Sequence, residues 1–348
     1  MRQSSKLHFF SKIGRLIDRW YICCAGVCVF LIPSSCFAQN SDITINPTTW
    51  KINKDIVINS SGKPLNIYIA DILERLEKPE GDGVPVSRHE FIRYLERHEI
   101  QTVYHKQLIN YATPKSIEIQ TQTHDDFTKI FMTEKRISAG ITFIKRYKSL
   151  LSGAQREYGV AMHDIVSILM WESRLGEFTG KFRIFNIFMA QILFLDHAQK
   201  YAIQEMVAAG EANPLRLSIN KKKEKKRFDR IKKRAVNSIV SLMRQCKAVG
   251  TDPLEQFGSW GGAIGYVQFM PFNMYLAVDA DGDGRIDLFS WPDAIYSAAN
   301  YLKVKGNYEL SYQGRRKAIF SYNHDDSYVA GVIKYADEIN RRYKHQIK

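Results

Sequence analysis

Cysteine is scarce where it would matter. The 348-residue sequence holds five, and four of them (Cys23, Cys24, Cys28 and Cys36) fall in the N-terminal segment. Only Cys246 lies beyond, so the body of the chain has no intrachain disulfide and must rely on an ordinary hydrophobic core. Acidic residues are in deficit: 36 Asp and Glu against 50 Lys and Arg give a formal net charge of +14. That excess predicts an acidic partner, with nucleic acid, anionic lipid and an anionic cell-wall polymer all eligible. No run suits a membrane span, since Trp20 to Ile32 is well short of the roughly 20 apolar residues required. Paired His or Cys at ligand spacing, a P-loop Lys-Ser/Thr and a serine triad are not evident, so zinc-hydrolase, P-loop and triad chemistries drop out. There is no internal repeat and no extended low-complexity tract. What is present, 45% apolar and 12% aromatic residues, describes a folded protein of one to three domains.

The first forty residues narrow the partner. Arg2, Lys6, Lys12, Arg15 and Arg19 precede the apolar run, and Cys36 and Ala38 occupy A-x-A-like positions. This reads as a secretory signal peptide over 1–38, cut after Ala38, with an uncleaved anchor as the alternative. Lipidation of Cys36 is disfavoured by Pro33. Export places the positive charge in the periplasm or cell envelope and lowers the nucleic-acid reading.

The remainder reads as mainly α. Residues 39–63 form an extended arm or short strands, and Leu65 to Lys78 is helical. Ser87 with Glu90 makes a capping box for a helix to about His98, and Lys106 to Ala112 is a further helix. Thr113 to Asp126 is a polar linker. Ser138 to Tyr158 is a long amphipathic helix ending at Gly159. Asp164 is then the N-cap of a helix that Gly176 closes. Phe182 to Ala209 is an apolar helix. Lys221 to Arg234 carries ten basic residues in fourteen, either a solvated helix face or a contact to an anionic envelope surface or protein partner. Ala235 to Val249, Pro292 to Lys303 and Tyr328 to Arg342 complete the helices.

Four stretches carry chemistry. Ile165, Ile168, Leu169 and Glu172 share a helical stripe, and Glu172 sits in the last turn. Lost solvation and the negative helix end would both raise its pKa, as a general acid near neutrality requires. The alternative is a carboxylate reaching solvent past the helix end. Glu177 lies beyond the glycine, and nothing singles out Asp196 as a second acid. Gly258 to Pro271 packs glycines for close backbone approach, with Ser259 as a helix N-cap and Gln268 offering an amide to a sugar hydroxyl or acetamido group. Tyr322 to Tyr328 joins aromatic faces to the Asn323 amide, a combination suited to carbohydrate or to a core edge. Asp279, Asp281 and Asp283 followed by Gly284 match the start of an EF-hand loop, with Asp293 able to close a longer one. A structural calcium ion is expected there, the alternative being an Asx-rich turn; no organic cofactor is indicated.

In their order, Tyr158-Gly-Val, Trp171 to Gly176, Gly180 to Ile184, Ser259 to Pro271, the Asp279 loop, Trp291 to Ile295, Ala299 to Leu302 and Tyr322 to His324 resemble the membrane-bound lytic transglycosylase B family of murein-degrading enzymes. The likeness is clear from about 127 to 340 and weaker over 65–115. It implies a lysozyme-like helical core over 116–348, an N-terminal arm and helical subdomain over 39–115, and a basic insertion at about 215–235. It also implies cleavage of the β-1,4 bond from N-acetylmuramic acid to N-acetylglucosamine in peptidoglycan with formation of a 1,6-anhydro ring. Glu172 maps to the single catalytic acid. Ser259, Gln268, Tyr322, Asn323 and Tyr328 map to cleft residues, and Asp279, Asp281, Asp283 and Asp293, with Arg285 as a backbone ligand, map to the calcium loop. Phe127 stands where a family tyrosine lines the cleft, and Gly306 to Lys317 is shorter than usual. A non-catalytic peptidoglycan-binding scaffold and a lysozyme-type muramidase are the competing readings.

Overall fold

The computed structural model describes residues 46–78, 84–113, 129–210 and 221–346. The expected signal peptide, the linker from Pro114 to Asp126, and Phe127 lie outside the described residues. The chain is mainly helical. In order it forms α1 (Ile67–Glu77), α2 (Arg88–Leu95), α3 (His105–Ala112), α4 (Glu134–Arg146), α5 (Lys148–Tyr158) and α6 (Met162–Ser173). These are followed by α7 (Ile184–Ala208), α8 (Lys221–Val249), α9 (Trp291–Asn300), α10 (Tyr312–Tyr322) and α11 (Asp326–Gln346). A two-residue antiparallel pair joins β1 (Phe182–Arg183) to β2 (Phe257–Gly258), in register Phe182 opposite Gly258. Among the described residues no helix is long and apolar enough to cross a membrane.

Capping chemistry fixes several ends. Asn66 accepts from the Ile69 N–H at the start of α1, and Ser87 accepts from the Glu90 N–H at the start of α2. The Glu90 carboxylate does not complete the box but reaches Lys247 on α8. Where an arm or strands were expected, residues 47–49 and 54–56 form short 3₁₀ turns capped by Asn46 and Asn53.

The expected helix from Ser138 to Tyr158 is two helices. The chain breaks at Tyr147 (φ −109°, ψ 26°), whose ring turns into Phe143 and Trp291 at 4.6 and 5.5 Å. The expected boundary at Gly159 is a left-handed cap (φ 69°). The basic run and the apolar stretch after it form one helix, α8, because Phe228 and Ile231 are buried in phase with Ala235, Ile239 and Leu242.

One contiguous core runs from Trp50 to Tyr343. Helices α1 and α3 pack on α8 and α7 respectively, and α6 is enclosed by α4, α5, α9 and α11. Helix α6 is therefore buried all round from Asp164 to Ser173, not along a single stripe. Cys246 is buried on α8, and desolvation pushes its thiol up to about 11.

Candidate active site

The site is built around the C-terminal turn of α6. Ala161 precedes the helix, and the exposed N–H of Met162 is satisfied by the Gln155 side chain (3.0 Å), so Asp164 is not the N-cap. Asp164 lies inside the first turn and is fully buried. It accepts from Arg315 Nε and Nη2 at 2.9 and 2.7 Å and from the Tyr308 hydroxyl. At the other end the helix stops before Gly176. Arg174 and Leu175 both adopt left-handed φ, 53° and 55°, and the Leu175 N–H returns to the Leu169 carbonyl at 3.1 Å. Ser173 Oγ reinforces the turn by accepting from the Gly176 N–H and donating to the Leu169 carbonyl. Two non-glycine residues in this region cost about 1–2 kcal/mol each, so the turn is held by its surroundings.

This turn holds Glu172 at 5% exposure. Burial pushes its carboxyl up to about 8, against the opposing hydrogen bond that the Tyr328 hydroxyl donates to Oε1 at 2.6 Å. Among the described residues no charged neighbour contributes to that shift. Glu172 is thus predominantly protonated at neutral pH. Tyr328 stands in the first turn of α11, set by an Asp325 carboxylate that accepts its N–H. It meets Trp171 edge-on, and Trp171 stacks on Phe131 at 4.3 Å. Gly331 lets α11 approach, since a Cβ there would lie 2.2 Å from the Trp171 ring.

The Gly258–Met270 segment forms no helix, and the 3₁₀ turn that starts at Pro271 is capped by Met270, so Ser259 is not a helix N-cap. It closes a tight loop instead: its N–H donates to the Ala263 carbonyl (2.8 Å) and its Oγ accepts from the Ala263 N–H (3.1 Å). A bridge between Ile264 and Phe269 then folds the loop back, with Gln268 at φ 51° and its Nε2 donating to the Gly265 carbonyl at 2.7 Å. Gly265 is needed there, because φ is 71° and a Cβ would meet Leu288 at 2.4 Å. Tyr322 donates to the Val267 carbonyl at 2.6 Å and packs on Tyr301. Asn323 is buried at the end of α10, where its backbone caps Ile319 and accepts from Asp325.

The structure therefore brings Tyr328 onto Glu172 and Tyr322 onto the Gln268 loop. Tyr301, which sequence reasoning missed, joins the two: burial first, then the charges of Tyr275 and Glu172, hold its hydroxyl well above the usual tyrosine range. It lies within the Ala299–Leu302 motif just past α9, but nothing in that motif marked its side chain as part of the site. Glu177 is exposed, and Asp196 is paired with Lys232.

Of the acidic loop, Asp279, Asp281 and Asp293 converge, with ligand oxygens within 4.8 Å of one another. Asp279 accepts from the N–H groups of Gly282 and Gly284, and Asp293 from those of Ala280 and Asp287. The Asp283 N–H draws the Asp281 carboxyl down, but desolvation and the charges of Asp283, Asp293 and Asp279 outweigh it and push the carboxyl up. Three mutually repelling carboxylates in an ordered turn fit a hard cation. Asp283 is outside this cluster, its Oδ1 accepting the Arg285 N–H.

Helices thus frame a buried carboxyl at the C-terminal end of α6. The chain belongs to the transglycosylase SLT domain family, which it matches over residues 83–314. It is 31% identical to membrane-bound lytic murein transglycosylase B of Escherichia coli (strain K12) over 182 residues, 52% of this chain and 41% of that protein's length. Its fold is similar to Escherichia coli lytic transglycosylase SLT35 in complex with calcium (TM-score 0.56, 18% identity, 86% of this chain and 99% of that one). It is also similar to soluble lytic transglycosylase SltB1 from Pseudomonas aeruginosa (TM-score 0.55, 21% identity, 78% and 98%).

Proposed function

We propose that the chain is an exported peptidoglycan lytic transglycosylase with Glu172 as its single catalytic acid and base. The observation that carries this reading is a carboxyl buried to 5% exposure, raised to about 8, and hydrogen-bonded by Tyr328. Protonated Glu172 gives its proton to the leaving glycosidic oxygen as the bond to the muramyl anomeric carbon breaks. The substrate's own acetamido oxygen attacks that carbon, so no second carboxylate is required. Glu172, now ionised and held by the Tyr328 hydroxyl, takes the proton of the muramyl 6-hydroxyl. The freed oxygen closes the 1,6-anhydro ring and displaces the acetamido oxygen, so no water is consumed. Ser259, Gln268, Tyr322 and Asn323 lie on the segments that would line the glycan, with Gln268 or Ser259 orienting the acetamido group or stabilising developing charge.

Asp279, Asp281 and Asp293 would hold a calcium ion, with Asp283 and the Arg285 backbone as further ligands that the family resemblance adds. Bound there, it would neutralise the loop and anchor α9 rather than act on the substrate.

Mass spectrometry of sacculus digests tests the reading. Wild type should release anhydromuropeptides, with activity falling as pH rises through about 8 as the acid ionises. Glu172→Gln should lose roughly 10²–10⁴-fold in rate. Reducing-end products alone would make the protein a muramidase. Sacculus binding without any product from wild type would make it a scaffold.

A further inference from the structure

A recess lies on the outer side of the Arg174–Leu175 turn, with Leu175, three residues after Glu172, in its wall. It is an open hollow of about 430 Å³ between α4, the Tyr147 break, Leu175 and Trp291. Trp291 stacks on Tyr266 at 3.9 Å, two residues before Gln268, so the recess and the Gln268 loop share a wall. Along α4 the polar lining residues are Lys135, Ser138, Thr142 and Arg146, with Ala139 and Phe143 between them. Their spacing of three and four puts them on one stripe. The opposite face of α4 (Ile137, Ile141 and Ile144) is buried in the core. The stripe is thus cation, hydroxyl, hydroxyl, cation, laid against an aromatic wall.

Both cations are exposed, and neither has an ion-pair partner among the described residues; the Arg146 guanidinium lies over the Tyr147 ring at 5.3 Å. The neighbouring acid, Glu134, is already taken by Arg342. The recess therefore holds uncompensated positive charge, donors at regular intervals and an apolar floor. Lys135 and Arg146 stand eleven positions apart, roughly 16 Å of helix axis. An extended peptide of about five residues covers that distance.

We infer that this recess takes the carboxylate-bearing stem peptide of a glycan strand whose sugar backbone lies over Glu172, an assignment that rests on the transglycosylase reading above. Lys135 and Arg146 pair with the peptide's free carboxylates, Ser138 and Thr142 with its amides, and Trp291 and Tyr147 contact its apolar side chains. A stripped strand loses the peptide's carboxylates and amides and keeps only the lactyl carboxylate next to the sugar ring, too short to span the recess, so the recess distinguishes decorated from stripped strands without touching the reacting atoms.

The test compares wild type with Lys135→Gln/Arg146→Gln on two substrates: peptide-bearing glycan strands, and the same strands stripped by an amidase. Both residues are exposed, so the variant should fold, and its melting temperature checks this. On peptide-bearing strands KM should rise roughly fivefold with kcat unchanged, as expected for two solvent-exposed charge contacts. On stripped strands neither constant should move. Equal losses on both substrates, or no loss on either, overturn the assignment.

A second arm needs no turnover. Tryptophan fluorescence, with Trp291→Phe as control, is titrated with an isolated stem tetrapeptide. Saturable quenching that weakens in the double variant and disappears in Trp291→Phe supports the site, and no binding to wild type overturns it. If wild type cleaves neither kind of strand, the transglycosylase reading has failed, and the fluorescence arm still decides the recess.

Discussion

Glu172 occupies a position that costs the fold stability. Its carboxyl rises from 4.5 unfolded to about 8 folded. Below pH 4.5 both states are protonated and nothing is lost. Between there and about 8 the unfolded chain ionises first, so folding stability falls across that window and levels off above it. Glu172→Gln removes the titration. It should leave stability unchanged at pH 4 and raise it by roughly 2–4 kcal/mol at pH 8. Chemical denaturation at the two pH values measures this, and an equal midpoint shift at both would show that the carboxyl is not the cause. Much of this residue was legible in the sequence. Its place on a helix after Ile165, Ile168 and Leu169 marked it as a desolvated acid. What the spacing could not show is that the polar positions Asp164, Ser167 and Ser173 on the same helix are buried too, because their partners lie more than a hundred residues away or in the helix itself. Ser167 donates to the Val332 carbonyl, and Asp164 meets Tyr308 and Arg315.

At the scale of elements, the short Gly306–Lys317 segment has a clear task. Tyr308 and Arg315 bring it onto the N-terminal turn of α6, the opposite end from Glu172, and Arg315 also pairs with Asp337 on α11. Three elements thus share one buried charge centre. Arg315→Met should destabilise by about 3–5 kcal/mol, because Asp164 would remain buried without its cation. Adding Asp164→Asn should restore part of that loss in thermal melts; a single-variant loss below about 1 kcal/mol would mean the pair is solvated. No motif announced this centre, since Tyr308 and Arg315 fall in the shortened Gly306–Lys317 segment, outside every motif. The basic run of α8 was similarly half legible. Its charge was plain, but Arg227 donates to the carbonyls of Tyr111 and Ala112, and Lys232 pairs with Asp196. Among the described side chains of the run, Lys223, Lys225, Lys226, Arg230 and Lys233 point outward as the sequence suggested, Lys233 reaching back to Asp229. Identical side chains differ here only by helical phase, which a run of lysines does not display.

For the whole molecule, the acidic loop connects local order to global stability. Asp293 is buried in the first turn of α9, which packs on α5 and α6. Millimolar calcium should raise the melting temperature by several degrees, following the logarithm of free ion over Kd, and a chelator should reverse it. Asp281→Asn should abolish that difference; an unchanged melt with calcium in wild type would remove the ion from the loop. The order of motifs let the helical frame be read in advance, including the Gly159 stop and the Asp279 loop. The breaks at Tyr147 and Arg174 were hidden because tertiary packing imposes them against local preference. One further property of the frame is practical. Cys246 is buried and its thiol is held at about 11, so it is almost never a thiolate near neutrality. A chain produced without residues 1–38 therefore presents no reactive sulfur. A single cysteine introduced at Ser138 would accept a maleimide dye or spin label alone, turning the recess beside α4 into an optical or magnetic reporter of strand engagement.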